Sequence, residues 1–277
     1  MRKYTHVLTG FATGVGLLAL AVLTVGPFLW LLVTALKGGG ENIFAYPPSL
    51  WPKQPTLSNF RQVWEAVPLG RYFFNSVVVA VASVALNLVL ASLAAYPLAR
   101  MRFRGREPLF VLILATMMIP LPVILIPLFV LAQRLGLLDS YAGLILPTAV
   151  SAFGIFLMRQ AFLAIPKEIE EAAVIDGANS WQVFWQVMLP LTKPSLATLA
   201  IFVFVGAWGD FLWPLIVLKD PDLYTLPVGI SYLAGTFSAN WRLIAAGSVL
   251  SIIPIVLVFI GLQRFFIGGQ TSGAVKG

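Results

Sequence analysis

Long apolar stretches are the feature that most constrains how this chain can fold. A helix needs about 20 mostly apolar residues to cross a bilayer. Windows of that length cover 7–36, 72–99, 108–133, 141–163, 195–218 and 243–263. Hydrophobic residues make up 59% of the chain and charged residues 10%, against about 45–50% and about 25% in soluble domains. The pattern predicts an all-α integral membrane protein with six transmembrane helices, forming a single domain over 1–277.

The composition excludes several classes of function. The chain has no cysteine, which excludes a disulfide, a thiolate metal site and a cysteine nucleophile. Its single histidine, His6, has too few other ligands nearby to form a metal site. No G-x-x-x-x-G-K-[ST] motif occurs, so the chain is not expected to hydrolyse ATP itself. A net charge of +7 could indicate a protein that binds nucleic acid. We reject that class of function because the basic residues cluster beside the apolar windows, where membrane proteins need them. We predict no catalytic residue, no metal site and no cofactor bound by this chain.

Lysine and arginine in the short loops predict the orientation of the chain. The loop ARMRFRGRE, between the second and third windows, carries four arginines, whereas RLGLLDSYAG, between the third and fourth, carries one. This bias places both termini in the cytoplasm, together with the segment 164–194. The first window exceeds a signal-peptide core of about 7–15 residues and lacks an A-x-A site, so we expect a retained span. Prolines inside several windows predict bends in those helices.

The segment 164–194 is a polar block between the fourth and fifth apolar windows, with three acids within the seven residues 170–176. Pro166 suits a first helical position, the glutamates that follow favour the positive end of a helix, and Gly177 favours its end. The stretch SWQVFWQVMLP then predicts a second short helix. Its Trp181, Phe184, Trp185 and Met188 share one apolar face, which we expect to lie on the bilayer surface. The whole block is either a connector between two spans or a helical elbow that docks on a cytoplasmic partner.

The residues of this block resemble a known motif. They follow the pattern EAA-x3-G-x9-I-x-LP of ABC importer permeases, in a cytoplasmic loop between the fourth and fifth of six spans, with valine at the isoleucine position. The matching residues are Glu171, Ala172, Ala173, Gly177, Val187, Leu189 and Pro190. Further stretches, including RQAFLAIPKEIEEAAVIDGA and the ending QRFFIGGQTSGAVKG, are similar to the carbohydrate-uptake group. Within it they resemble the maltose-type second permease (MalG-like).

The resemblance implies a type I ABC importer permease fold and a shared transport machine. A homologous six-span permease would form the other half of the channel, two cytoplasmic ATPase subunits would use ATP and Mg²⁺, and an extracytoplasmic solute-binding protein would deliver a sugar. It also implies that the loop is a coupling helix in the ATPase cleft, with Glu171 facing an ATPase arginine and Gly177 setting the elbow. The implied coupling residues are Glu170, Glu171, Ala172, Ala173, Asp176, Gly177, Leu189 and Pro190.

A possible solute path is predicted around the one acid inside the fifth window. Asp210 must face the bundle interior, because a charge in a span is costly. It either forms a structural contact between spans or lines the path with Trp208, Trp213 and Asn87, since aromatic rings suit sugars. The family often has asparagine at position 209, where this chain has glycine, so no role is inherited there. In the second window, Asn75, Ser83 and Asn87 share a face and favour hydrogen bonds between helices.

Two outer loops are candidates for docking the binding protein. The loop 37–71 contains AYPPSLWPKQP, which predicts a stiff, extended segment, and the loop 219–242 is the second candidate.

The alternatives to a sugar importer are a permease for another solute class, a membrane enzyme with its site near Asp210, and a transporter that works alone. The enzyme is disfavoured because the acid has no base, metal cluster or nucleophile beside it.

Overall fold

Helices make up most of the described chain. The computed structural model describes residues 2–47, 49–235 and 240–271, and the side chains within 13–47, 49–234 and 240–264. No strand occurs in these ranges, so the predicted all-α class is confirmed. The side chain of His6 and the ending after Thr271 lie outside the described residues. The α-helices are α1 (Arg2–Leu36), α2 (Ser58–Ala66), α3 (Leu69–Arg100), α4 (Arg106–Thr116), α5 (Leu121–Arg134), α6 (Tyr141–Ile145), α7 (Ala152–Ala164), α8 (Lys167–Ile175), α9 (Ser180–Gln182), α10 (Leu189–Leu191), α11 (Lys193–Gly209), α12 (Leu212–Val217), α13 (Leu226–Gly235) and α14 (Trp241–Thr271).

The described residues contain three to six elements that are long and apolar enough to cross a membrane. Three are single helices, over 13–36, 69–100 and 241–264. Three more are helix pairs bent at a short break: 106–116 with 121–134 by 97°, 141–148 with 152–164 by 46°, and 180–191 with 193–209 by 76°. If each bent pair is one span, the number is the predicted six, but the third pair begins at 180, inside the predicted loop 164–194, rather than at the predicted 195.

Three of the predicted windows contain a break rather than a continuous helix, and in 141–163 it separates 141–148 from 152–164. In 108–133 the break precedes Pro120, which is extended (φ −68°, ψ 141°) and has no N–H to continue the hydrogen-bond ladder. In 195–218, α11 ends at Gly209, and Asp210 is extended (φ −66°, ψ 123°) before α12 begins. An average over an apolar window does not register such local breaks, so the window boundaries alone do not give the helices.

The chain forms two compact units, 1–69 with 229–253, and 70–228 with 254–277. In the second unit, α3, α7, α11 and the π-helical turn Val183–Met188 share one hydrophobic core. The ring of Tyr96 packs against Phe162 and Phe184, with centroids 5.5 Å and 5.1 Å apart. The assignment of 1–277 to one transmembrane domain stays a prediction.

A set of polar contacts in the first unit closes the C-terminal end of α1. The amide of Asn59 donates to the carbonyls of Ala35 and Lys37 at 2.8 Å and 2.9 Å, so it satisfies acceptors that the helix end leaves free. Lys37 is buried, but its Nζ donates to the Ser49 carbonyl at 2.8 Å and lies 4.9 Å from the centre of the Trp30 ring. The buried charge is therefore compensated on both sides.

The prolines of the loop 37–71 predicted an extended segment, but part of this loop folds back. The Glu41 carboxylate accepts hydrogen bonds from the backbone N–H groups of Lys53 and Gln54, both at 3.1 Å, so the segment between them folds back. These two bonds lower the pKa of Glu41 below its ordinary value. Residues 58–66 then form α2. The prediction considered proline stiffness alone and missed the carboxylate that closes the loop.

Candidate coupling surface and solute cavity

Helix α8 forms the first half of the predicted coupling loop. It follows Pro166, and acids lie in its first turn, where they interact favourably with the positive helix end. Gly177 takes a left-handed conformation (φ 88°) just after the helix. This turn lets the N–H of Ala178 donate to the carbonyl of Ala173 at 3.0 Å, the hydrogen bond of a Schellman cap. The glycine therefore ends the helix, as the sequence predicts.

The neighbouring acids Glu170 and Glu171 have different surroundings. Glu170 turns inward, where it accepts a hydrogen bond from the Tyr96 hydroxyl at 3.0 Å and lies 3.6 Å from Nε of Arg100. Glu171 is exposed and forms none of the salt bridges found among the described residues. The sequence assigned both residues to the docking surface, and in the structure Glu170 also anchors α8 to α3, whereas Glu171 has no such contact.

Arg100 is the main contact residue of the candidate coupling surface that sequence reasoning missed. Its side chain is 5% exposed, and its Nη2 donates to the carbonyls of Phe162 and Ile165 at the end of α7. With the nearby Glu170 carboxylate, Arg100 therefore joins α3, α7 and α8. The available signal was a tyrosine and an arginine four residues apart at the end of a long apolar helix, which places them on one face.

The outer face of α8 exposes large apolar side chains. Val174 is 58% and Ile175 is 85% exposed. With Glu170 and Glu171 they line a shallow hollow of about 400 Å³. Ala172 and Asp176 are also exposed, whereas Ala173 packs inward against the core. The surface combines a free carboxylate with apolar groups that have no cover in the described part of the chain.

The second half of the loop differs from its prediction. Asn179 and Gln182 form a reciprocal capping box that starts α9, and a π-helical turn follows. The predicted single apolar face divides, because Phe184 and Met188 are buried in the core while Trp181 and Trp185 are exposed. The prediction that these four residues lie together on the bilayer surface is therefore wrong, since the face assumed α-helical spacing throughout. Beyond them, Leu189 packs against the core and Pro190 is exposed.

Three of the four predicted path residues line one cavity in the second unit. The cavity has a volume of about 320 Å³, within the usual range of about 300–1,000 Å³ for ligand sites. Helices α3, α11 and α12 and the segment 144–153 form its wall. Its lining residues are Val79, Ser83, Asn87, Leu144, Thr148, Ser151, Phe153, Phe202, Val203, Gly206, Ala207, Asp210, Trp213 and Pro214.

The polar groups of the cavity are only partly satisfied. Nδ2 of Asn87 donates to the Thr148 carbonyl at 3.3 Å, and its Oδ1 accepts from Oγ of Ser151 at 3.2 Å. The hydroxyl of Ser83 is fully buried and has no hydrogen-bond partner in the described structure. Asp210 accepts a long bond of 3.4 Å from the Trp213 backbone N–H. The half-buried carboxylate leaves this wall able to bind a polar ligand, whereas the Ser83 hydroxyl has no accessible surface toward the cavity.

Of the two tryptophans predicted to line the path, only Trp213 lines the cavity. Trp208 does not line the cavity. It is 1% exposed, and its ring packs on Phe73 and Phe204 with centroids 5.5 Å away in each case. Trp213 does line the cavity, but it is 2% exposed and its indole N–H donates to the Gly143 carbonyl at 2.9 Å, so it supports the wall rather than offering a binding group.

Asn75 and the last outer loop form a separate polar contact. Nδ2 of Asn75 donates to the carbonyls of Asp222 and Tyr224 at 2.8 Å and 2.9 Å, and its Oδ1 accepts from the Tyr141 hydroxyl at 2.6 Å. The predicted hydrogen bonds between helices are thus present at Asn75 and Asn87 but not at Ser83. The predicted loop 219–242 also contains α13, and its residues 236–239 lie outside the described residues.

The chain is similar to permease subunits of known transport systems. A family model described as "Binding-protein-dependent transport system inner membrane component" matches residues 87–269. The chain is 38% identical to the arabinooligosaccharides transport system permease protein AraQ of Halalkalibacterium halodurans, over 100% of both chains. It is 37% identical to the sulfoquinovosyl glycerol transport system permease protein SmoH of Agrobacterium fabrum, over 91% of this chain and 88% of that one.

A solved structure is similar over almost the whole chain. It is a crystal structure of a bacterial ABC transporter involved in the import of the acidic polysaccharide alginate. One of its chains aligns with a TM-score of 0.82 and 28% identity, covering 94% of this chain and 96% of that one.

Proposed function

This chain belongs to the family of binding-protein-dependent transport system inner membrane components, and from that premise we propose that it forms half of the membrane channel of an ATP-driven sugar importer. It is a permease subunit with the type I permease fold and not an enzyme. A homologous six-span permease completes the channel, two cytoplasmic ATPase subunits use ATP and Mg²⁺, and an extracytoplasmic binding protein delivers the solute. The chain itself binds no cofactor.

The observation that carries the proposal is the exposed face of α8. A helix that presents a free carboxylate, Glu171, beside exposed Val174 and Ile175 suits a groove with an arginine at its edge. A mere connector between spans has no need of such apolar exposure. The Schellman cap at Gly177 and the inward bonds of Glu170 hold this face in one orientation.

The ATPases act on the cytoplasmic side, so the proposal requires α8 to lie there. The arginines of the turn between α3 and α4 support this orientation, with both termini in the cytoplasm. The loop 37–71 is then outside. Its Tyr46 and Trp51 are strongly exposed, and such aromatic side chains suit docking of the binding protein.

We assign the solute contacts of this subunit to the cavity beside Asp210. The aromatic rings of Phe153 and Phe202 offer stacking surfaces for a sugar, and the Asp210 carboxylate offers hydrogen-bond acceptors. A carboxylate repels an anion, so this wall favours a neutral sugar over an acidic one. Carbohydrates are named as the solutes of the AraQ, SmoH and alginate systems, which supports the sugar class over a permease for another solute.

The test is extraction of a tagged chain from native membranes in mild detergent, followed by mass spectrometry and ATPase assays. We expect a P-loop ATPase and a second six-span permease to co-purify, and neutral oligosaccharides with the binding protein to stimulate ATP hydrolysis. Glu171→Lys removes the ATPase from the complex. The matched control Glu65→Lys, on exposed α2, retains it.

Two results would overturn parts of the proposal. A chain that purifies alone, or keeps its ATPase after Glu171→Lys, contradicts docking through α8. Asp210→Asn should change the oligosaccharide concentration that gives half-maximal stimulation, and an unchanged value contradicts the assignment of the cavity to the solute.

A further inference from the structure

A basic hollow lies beside the turn between α3 and α4 and the first residue of α8. Its volume is about 770 Å³, which is ample for a ligand of moderate size. It is separate from the cavity beside Asp210 and from the exposed face of α8. Its lining residues are Arg102, Phe103, Arg104, Gly105, Arg106, Glu107, Pro108 and Lys167.

The charges of the basic hollow are strongly unbalanced. Four of its side chains are cationic, and its one carboxylate, Glu107, is already engaged. Glu107 accepts two bonds from Arg159, at 2.8 Å and 3.0 Å, and lies 2.9 Å from Arg106. Arg102, Arg104 and Lys167 are exposed and form no salt bridge within the described part of the chain. Three cations therefore remain for an anion that the described residues do not supply.

The basic hollow also lies where a bilayer surface must be. The candidate span 69–100 ends just before it, and the bent pair that starts at Arg106 begins just after it. Met101 and Phe103, which alternate with the arginines, are both exposed. Exposed apolar side chains among cations at the end of a span suit the boundary between headgroups and acyl chains.

We propose that the basic hollow binds the phosphate group of an anionic phospholipid. Arg102 and Arg104 contribute guanidinium groups, which pair with two phosphate oxygens at once, and Lys167 adds a point charge from α8. Met101 and Phe103 contact the start of the acyl chains. The apolar pair distinguishes a lipid from free phosphate, and the phosphate charge distinguishes an anionic lipid from a zwitterionic one. The inference rests on the membrane location of the family and not on the identity of the solute.

The test is native mass spectrometry of the full chain, purified in a neutral detergent and titrated with phosphatidylglycerol, phosphatidylcholine or glycerol phosphate. One cation near an anionic membrane surface changes affinity about fivefold. We expect Lys167→Gln to weaken phosphatidylglycerol binding about fivefold and Arg102→Gln with Arg104→Gln to weaken it about 25-fold. Lys193→Gln is the matched control, because Lys193 is also an exposed first residue of a helix but does not line the hollow.

Each other outcome contradicts the proposal. Equal phosphatidylglycerol binding by all variants shows that the hollow holds no lipid, and an equal loss for Lys193→Gln shows that only net charge matters. Tight binding of glycerol phosphate alone assigns the hollow to a soluble phosphate. Loss of a co-purifying ATPase with lipid binding unchanged assigns it to a protein. Arg102→Lys with Arg104→Lys keeps the charge that orients the chain but loses the paired hydrogen bonds, so it should bind between the wild type and the double glutamine variant, and a misinserted glutamine variant cannot mimic that order.

Discussion

The neighbouring acids Glu170 and Glu171 give the sharpest test of how α8 works. Glu170→Ala removes a carboxylate that holds α8 to α3, and Glu171→Ala removes one that faces outward. The two substitutions are chemically identical and adjacent on one short helix. We therefore expect Glu170→Ala to lower thermal stability and Glu171→Ala to leave it unchanged while weakening ATPase docking.

The size of the stability loss follows from the contacts of Glu170. Its hydrogen bond from the Tyr96 hydroxyl is 3.0 Å long, and losing a bond to a charged acceptor costs about 1.5–3 kcal/mol. The ion pair with Arg100 is longer, at 3.6 Å, and the Glu170 side chain is 25% exposed, so solvent screens much of that attraction. We take about 2 kcal/mol for the total. In a chain of this size that corresponds to a fall in Tm of about 4–8 °C.

The assay is size-exclusion chromatography of the purified importer after heating, with the fraction of intact complex plotted against temperature. Tyr96→Phe removes only the hydroxyl and should account for most of the effect of Glu170→Ala. A Glu170→Ala protein that melts with the wild type would refute the anchoring role. A Glu171→Ala protein that is equally destabilised would refute the division of roles between the two acids.

Two further predictions concern contacts elsewhere in the second unit. Gly154→Ala should destabilise the protein in the same heating assay, because the new Cβ would lie 2.7 Å from Oδ1 of Asn87, whereas Gly206→Ala meets open space and should not. Asp139 accepts bonds from the N–H groups of Asp220 and Lys219, both at 2.9 Å, and these lower its pKa. Its contribution is therefore present above its unfolded pKa of about 3.9 and is lost as pH falls through the depressed pKa. Hydrogen exchange of those two amides, corrected for intrinsic rates, should show this loss in the wild type and none in Asp139→Asn.

The sequence predicts the parts of the fold that depend on local composition. Apolar windows predicted the membrane class, and the spacing of the EAA motif predicted the family and the helix that ends before Gly177. These features depend on a few adjacent residues and on the solvent, so one sequence is enough to identify them. The break near Pro120 is one of the bends that the prolines predicted, whereas the break at Asp210 depends on the backbone conformation of a single residue, which an apolar average does not contain.

Tertiary contacts explain what the sequence missed at the candidate sites. Glu170 and Glu171 look equivalent in the motif, and only the fold shows that Tyr96 and Arg100 reach one of them. Trp208 looked like a path residue because it is close to Asp210 in sequence, but the helix turns its ring away from the cavity and onto Phe73 and Phe204. Proximity along the chain is a weak guide to which side of a helix faces a cavity.

Helix α3 connects the two candidate sites. Arg100, at its end, lies beside the Glu170 carboxylate of α8, and Asn87 and Ser83, farther along, line the cavity. From Arg100 to Asn87 is about 13 residues, roughly 20 Å at 1.5 Å per residue, and the helix continues through Pro97. An α-helix that moves as one body carries a displacement at one end to the other. Under the proposed function, a pull on α8 by the ATPase would reach the polar wall of the cavity through α3, because Arg100 and Tyr96 contact Glu170 of α8.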